Sequence, residues 1–307
     1  MSPDHALPLR ALAPAKINLG LFVGPTRADG RHAIASVMQS ISLADQLTLE
    51  LAPPGVTRDE VVCPGVPGEN LAARALALFR AATGWDGAAV RITIDKRIPV
   101  AAGLGGGSAD AAATLRLARA ASGMGDEDLL FVLAAELGAD VPAQVAPGRW
   151  LASGAGESLQ VLPDPVSPLG VLVVPLAAQL STPTVYATAD RLSLARDAFS
   201  VQAFREKQGQ AFELGAPLPR NVELLHNDLQ AAAIELCPEI RGVLGQAEQA
   251  GAEVAFVSGS GPTVIGLFAH ANGLARAERA VAGLAGREPA ALAAVSVGAD
   301  FALASAP

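Results

Sequence analysis

The chain is poor in cysteine and in charged residues, basic ones above all, and it has no hydrophobic run of membrane length. Its two cysteines, Cys63 and Cys237, lie far apart and form no CxxC pair. No disulfide framework or zinc site follows from them, and such usage suits a reducing compartment. Only 22 Lys and Arg stand against 30 Asp and Glu, a net charge of −8. A protein that grips a phosphate backbone needs clustered basic residues to displace counterions. Here they are few and scattered, so nucleic acid is not an expected partner. An acidic protein can still take one anionic nucleotide through local amides and a bound metal. The longest apolar stretch, residues 169–178, is about half the ~20 residues that cross a bilayer and reads as a buried strand. Residues 1–8 show no cationic start leading into an apolar run, so no secretory signal is expected. These absences together predict a soluble, cytoplasmic protein with no membrane partner.

What the chain does have is apolar bulk. Hydrophobic residues are 51% of 307, enough for a packed core in two modest domains or one large one. Alternation predicts strands over 10–24, 36–51 and 90–94, and further strands over 149–153, 157–162 and 169–174. Residues 52–68, rich in proline and glycine, read as connection. Apolar residues at three-and-four spacing (Leu71, Ala75, Leu78, Phe79) predict a helix over 69–82. Further helices are expected over 108–121, over 126–137 with acidic residues at its positive dipole end, through much of 182–250, and over 272–285. Strands flank a glycine turn at 254–258 and 263–268, and a last strand is expected at 293–299. Strands and helices mix without the strict alternation of a doubly wound sheet. The fold class is therefore α+β with two lobes, divided as residues 1–165 and 166–307.

The strongest local signal is Gly103-Leu104-Gly105-Gly106-Gly107-Ser108, a loop running directly into a helix. Glycines let backbone approach a ligand with no Cβ in the way, and unpaired amides at a helix start favour phosphate. A plain flexible turn with a helix cap is the competing reading. The loop is not a Walker A motif, because Ser108 rather than Lys follows Gly107. It is not a dinucleotide fingerprint either, since 96–102 separate it from the strand and the GxGxxG spacing is broken.

Three segments in order carry a family resemblance: Pro14-Ala15-Lys16-Ile17-Asn18-Leu19, the 99–112 stretch containing this loop, and Val257-Ser258-Gly259-Ser260-Gly261-Pro262-Thr263. The sequence resembles the GHMP kinase superfamily. The segments 27–32, 94–99, 137–142 and 227–229 are similar to the branch that phosphorylates the 2-hydroxyl of a cytidine-diphosphate derivative of methylerythritol. The resemblance implies an N-terminal lobe like domain 2 of ribosomal protein S5, a ferredoxin-like-type C-terminal lobe, ATP with Mg²⁺, and no partner beyond small molecules and, at most, a second copy in a homodimer. Other GHMP kinases acting on mevalonate, homoserine or sugars remain open. So do a diphosphomevalonate decarboxylase and a nucleotide-binding scaffold without catalysis.

Phosphoryl transfer needs in-line positioning, charge neutralisation, a metal and a base for the hydroxyl. Asp140 is the candidate base; a turn-stabilising aspartate is the alternative. Lys16 lies in an otherwise apolar strand, where an ammonium either reaches water or meets an anion. The resemblance implies that it meets Asp140 and the transferred phosphate. Asn18, two residues on, shares its face and is expected near the substrate hydroxyl. The expected nucleotide contacts are Lys96, Pro99, Ala102, Gly103, Leu104, Gly105, Gly106, Gly107 and Ser108, with Lys96 equally readable as a solvated strand-end lysine. The amides of Ser258, Gly259, Ser260 and Gly261 are expected to receive the substrate diphosphate, although glycines between strands also make a simple hairpin. His32 matches the family's cytosine reader and Tyr186, the chain's only tyrosine, its stacking aromatic, with helix packing as the bland alternative. The family commonly has a tyrosine before that histidine; this chain has Arg31, whose planar guanidinium can also stack on a base. Metal ligands are not assigned, Ser108 being the one candidate.

Overall fold

The computed structural model describes residues 7–66, 68, 70–269 and 272–305. The expected helix start at Glu69 and the reading of the first six residues lie outside them. Two long antiparallel strands, β1 (Leu9–Thr26) and β2 (His32–Leu51), form the spine of the first lobe, with Lys16 opposite Ser40 and Asn18 opposite Met38. The far edge of β2 is shared between two strands. β5 (Arg149–Gly154) pairs with residues 34–39, and β4 (Val90–Asp95) with residues 46–51. Between them Asp45 turns inward and accepts the amides of Arg97 and Ile98 at 2.6 and 2.8 Å, fixing the chain that leads from β4 to the glycine loop. β3 (Glu60–Val62) lies parallel to β4, and β6 (Ser158–Leu162) closes the other side.

Helices α1 (Leu71–Thr83), α2 (Gly106–Ser122), α3 (Glu127–Leu137) and α4 (Val141–Val145) cover this sheet. The buried stripe of α2 is largely alanine, with Ala109, Ala111, Ala112 and Ala113 fully buried. Small side chains bring a helix close to what it packs on, and the first turn of α2 consequently sits against β1 at Lys16. Asp126 caps α3, accepting from the Leu129 amide at 2.9 Å, as its position before an acidic first turn predicts.

The second lobe is a four-stranded antiparallel sheet of β7 (Gly170–Val174), β8 (Val254–Val257), β9 (Val264–Phe268) and β10 (Leu292–Val295), ordered β10-β7-β9-β8. Helices α5 (Thr182–Arg191), α6 (Ala198–Phe212), α7 (Gln230–Leu236) and α8 (Glu239–Gln249) lie between its first and second strands, and α9 (Gly273–Gly283) between its third and fourth. This is the ferredoxin-like order. Every residue of β7 is buried, which is why its apolar run is continuous rather than alternating. The two sheets part between Leu162 and Gly170. The lobes are not separate in contact, however. α6 returns to pack on β1, β2 and β5 of the first sheet, and Ser305 bridges back to Arg10.

The structure departs from the expected elements in several places. β3 forms inside the proline- and glycine-rich connection, because a three-residue parallel edge strand needs little pattern of its own. β2 begins at His32, four residues earlier than the alternation suggested. The segment after Asp140 is a short helix rather than a turn. The last strand stops at Val295, and Ala299–Ala302 form a 3-10 turn. No helix among the described residues is long and apolar enough to cross a membrane.

Candidate active site

A cleft of about 1090 Å³ runs between the glycine loop, the β1–β2 strands, α5 and the 259–260 turn. The loop's geometry is set by two close approaches. Gly103 has φ +76 and would place a Cβ 2.3 Å from the Ser258 carbonyl oxygen; Gly105 has φ +70 and would place one 2.9 Å from Lys16 Cγ. Neither position accepts a side chain, so this composition is a packing requirement as well as a ligand one. α2 begins at Gly106, two residues before the expected Ser108, and its N-cap Gly105 supplies no side-chain oxygen. The first amides of this 17-residue helix therefore have no cap and form an anion-binding end. Ser108 lies within the first turn of α2 rather than at its cap. Its hydroxyl lines the cleft and makes no hydrogen bond among the described residues.

At this end Lys16 Nζ stands 3.4 Å from Asp140 Oδ2. It donates to Asn18 Oδ1 at 2.8 Å, and Asn18 Nδ2 donates in turn to Ser36 Oγ at 2.8 Å. The Lys16 amide donates to the Leu104 carbonyl at 2.9 Å, tying the strand to the loop. Asp140 is the N-cap residue of α4, yet its carboxylate makes no capping hydrogen bond. The turn-stabilising alternative has no contact behind it. The carboxylate is 42% exposed into the cleft, while the lysine is 10% exposed. A buried ammonium is expensive unless it is paired, and this one is paired with a group that remains open to a ligand.

Lys96 also lines the cleft, but its ammonium is shared by two carboxylates: Asp45 Oδ2 at 2.5 Å and Asp110 Oδ2 at 2.9 Å, with side-chain exposures of 0% and 4%. Burial pushes the Asp110 carboxyl up to about 7; Lys96 pulls it down, and the Asp45 charge adds to the rise. Burial works against the Lys96 charge too, and the two carboxylates more than offset it, so its pKa is raised. This cluster was not foreseen. Asp45 sits among other polar residues of β2, with Ser42, Gln46, Thr48 and Glu50 nearby, so nothing in the local pattern sets it apart.

Pro99, Ala102, Gly103, Leu104 and the 105–108 amides all line the cleft. In the second glycine turn, Gly259 and Ser260 do so and Ser258 and Gly261 do not. The Ser258 amide donates to the Thr263 carbonyl and the Gly261 amide to the Ser258 carbonyl, while Ser258 Oγ donates to the Gly103 carbonyl at 3.2 Å. Of the four amides expected to receive the diphosphate, those of Ser258 and Gly261 are thus spent within the hairpin, while Gly259 and Ser260 line the cleft. Asn227 Nδ2 braces this turn from behind through the Val257 and Gly259 carbonyls at 2.7 and 2.8 Å. Asp228 accepts the Val23 amide and pairs with Arg196. The 227–228 pair therefore joins the lobes.

At the far end of the cleft, Tyr186 stacks on His32 with centroids 5.1 Å apart. Burial raises the Tyr186 hydroxyl to about 12, with the Asp140 charge adding to the shift. Arg31 lies on the rim, its guanidinium held by Asp29 at 2.9 Å. Among the described residues no three His, Cys, Asp or Glu side chains are arranged to hold a metal. A magnesium ion that travels on nucleotide phosphates keeps several waters and needs only one or two protein oxygens. The Ser108 hydroxyl beside the free amides fits that demand.

The uncapped helix start, the lysine–carboxylate pair and the cleft between the two sheets belong to a chain of the GHMP kinase class, as the family matches show. Residues 70–148 match the GHMP kinases N terminal domain and residues 201–286 the GHMP kinases C terminal domain. The chain is 43% identical to the 4-diphosphocytidyl-2-C-methyl-D-erythritol kinase of Anaeromyxobacter dehalogenans, over 85% of this chain and 80% of that protein. It is 42% identical to the same kinase of Leifsonia xyli subsp. xyli, over 84% and 87%. A crystal structure of 4-(cytidine 5'-diphospho)-2C-methyl-D-erythritol kinase superposes with TM-score 0.74 at 35% identity, covering 94% of this chain and 99% of that one. The chain belongs to the 4-diphosphocytidyl-2-C-methyl-D-erythritol kinase family. A homoserine kinase from Cytophaga hutchinsonii superposes at TM-score 0.72 with 16% identity, covering 97% and 96%, a likeness of fold alone.

Proposed function

We infer that this chain transfers the γ-phosphoryl group of ATP to the 2-hydroxyl of 4-diphosphocytidyl-2-C-methyl-D-erythritol, as a cytoplasmic enzyme of isoprenoid precursor synthesis. The observation that carries the reading is the Lys16–Asp140 pair, 3.4 Å apart beside the uncapped start of α2. In this scheme the 105–108 amides hold the triphosphate. Asp140 accepts the hydroxyl proton as the oxygen bonds to the γ-phosphorus and the bond to ADP breaks. Lys16 orients the Asp140 carboxylate and offsets charge on the transferred group. Asn18 orients the acceptor region from its fixed place between Lys16 and Ser36. Gly259 and Ser260 take the substrate diphosphate. Arg31, His32 and Tyr186 surround the cytosine, the guanidinium serving as one stacking plane. Bound Mg²⁺ would neutralise phosphate charge, with Ser108 as its protein oxygen.

A substrate panel with ATP and Mg²⁺ tests this directly. Phosphorylation of the cytidine-diphosphate methylerythritol, without turnover of mevalonate phosphates, homoserine or galactose, is expected. Turnover of one of those in preference to the cytidine compound would contradict the reading.

A further inference from the structure

His32 is held by more than the stack described above. Its Nε2 lies 2.7 Å from Asp190 Oδ1 and 3.3 Å from Thr26 Oγ1. Asp190 and Tyr186 are four residues apart on α5 and so share one helix face. That face covers the imidazole with the Tyr186 ring and meets its Nε2 edge with a carboxylate. The neighbouring Arg191 is engaged elsewhere, with Glu235. His32 is thus the one charged or titratable partner of the Asp190 side chain among the described residues. An ionised carboxylate only accepts hydrogen bonds, so Nε2 carries the proton of this contact. Nδ1 makes no hydrogen bond among the described residues, and it is absent from the buried unpartnered atoms. His32 is otherwise buried and lines the cleft, so this nitrogen is open to the cleft.

We propose that Asp190 is a positioning residue for base selection: by holding the His32 proton on Nε2 it keeps Nδ1 as a hydrogen-bond acceptor, which receives the exocyclic amine of cytosine and rejects the carbonyl that uracil carries there. The proposal rests on the cytidine reading above and deepens it. The discrimination follows from inventory. The amine donates and the uracil oxygen only accepts, so an imidazole nitrogen with a fixed lone pair favours one and repels the other. A site that hydrogen-bonds a polar group rejects the analogue lacking it far more strongly than a merely apolar pocket does. Without Asp190 the ring can reverse its tautomer, and Thr26, whose hydroxyl both donates and accepts, does not prevent this.

The test compares the unaltered enzyme, Asp190→Asn and Asp190→Glu on the cytidine-diphosphate methylerythritol and its uridine counterpart. An asparagine presents either an oxygen or an NH₂ to Nε2, so both tautomers become available; a glutamate remains acceptor-only. The expected result is a fall of about tenfold or more in the cytidine-to-uridine ratio of kcat/KM for Asp190→Asn. It should appear in KM for the cytidine substrate, with kcat and the KM for ATP held within about twofold, and with partial recovery in Asp190→Glu. Nitrogen-15 spectra of the ligand-free enzyme, assigned with His32→Gln, should show the His32 proton on Nε2, and the Asp190→Asn spectrum should show loss of that preference. An unchanged ratio in Asp190→Asn, or a proton on Nδ1 in the unaltered enzyme, would overturn the role of Asp190 while leaving the kinase reading intact. Equal losses in kcat and in both KM values would overturn it too, marking a general structural role. Absence of turnover by the unaltered enzyme on the cytidine substrate would instead reject the function itself.

Discussion

Lys16 and Lys96 touch the same glycine loop from two sides, and their charges are used in opposite ways. A Cβ on Gly105 would lie 2.9 Å from Lys16 Cγ, and one on Gly106 3.2 Å from Lys96 Nζ. Lys16 meets one carboxylate, and that carboxylate is 42% exposed. Lys96 meets two, of 0% and 4% exposure. The first ammonium therefore has an open partner and capacity left for an incoming phosphate. The second is consumed in neutralising a pair of buried acids, one of which also fixes the 97–98 amides. Two lysines beside a phosphate loop look alike in sequence. The burial and number of their partners tell them apart, one carboxylate open to the cleft for Lys16 and two buried ones for Lys96.

The sharpest way to break this comparison is to replace each lysine by methionine. Lys16→Met should lower kcat by about 10²–10³, the scale of losing one preorganised electrostatic partner of the transition state, with a small change in Tm. Lys96→Met should act on the fold, leaving two buried carboxylates facing each other at a cost of about 3–5 kcal/mol, read as a shift of the denaturation midpoint. If both variants lost activity alike with unchanged stability, the distinction would fail.

A smaller effect concerns Asp110. Its carboxyl sits at about 7 in the folded chain against an ordinary 3.8. Between those values the folded chain holds a proton that the unfolded chain has released, so this group's contribution to stability falls as pH rises from about 4 to about 7. Asp110→Asn should flatten that decline in denaturation curves taken at pH 5, 6, 7 and 8. An unchanged slope would place the titration elsewhere. The smallest effect is expected at the cytosine end. Tyr186→Ala should raise the KM for the cytidine substrate about tenfold, the scale of one base–aromatic stack, and leave that for ATP nearly unchanged. Equal rises would mark Tyr186 as packing for α5.

Much of this is legible in the sequence. The alternation in β4 and the alanine-rich run of α2 name their elements, because period and small-residue packing are local properties. The α1 pattern was close: Ala72, Ala75, Leu76 and Phe79 are the buried stripe, rotated slightly from the Leu71–Leu78 reading. The short pieces, β3 and α4, were missed because a few residues carry too little period to outweigh their prolines and glycines. At the site, motif and chemistry name Lys16, Asn18 and Asp140, and the structure brings the three side chains together. Asp45, Asp110 and Asp190 were not given their roles. Asp45 lies 51 residues from Lys96 and Asp190 lies 158 residues from His32, and only the strand register and the docking of α5 bring them together. Likewise, the spent amides at Ser258 and Gly261 depend on a hairpin geometry that a glycine count does not reveal.

The central claim is that Asp140 takes the proton from the acceptor hydroxyl. It is tested most directly by measuring, on Asp140→Asn, both ATP affinity by calorimetry and turnover at saturating substrates. The account predicts ATP binding within a few-fold of the unaltered enzyme and a kcat reduced by about 10²–10⁴. Turnover near that of the unaltered enzyme, with binding intact, would contradict it.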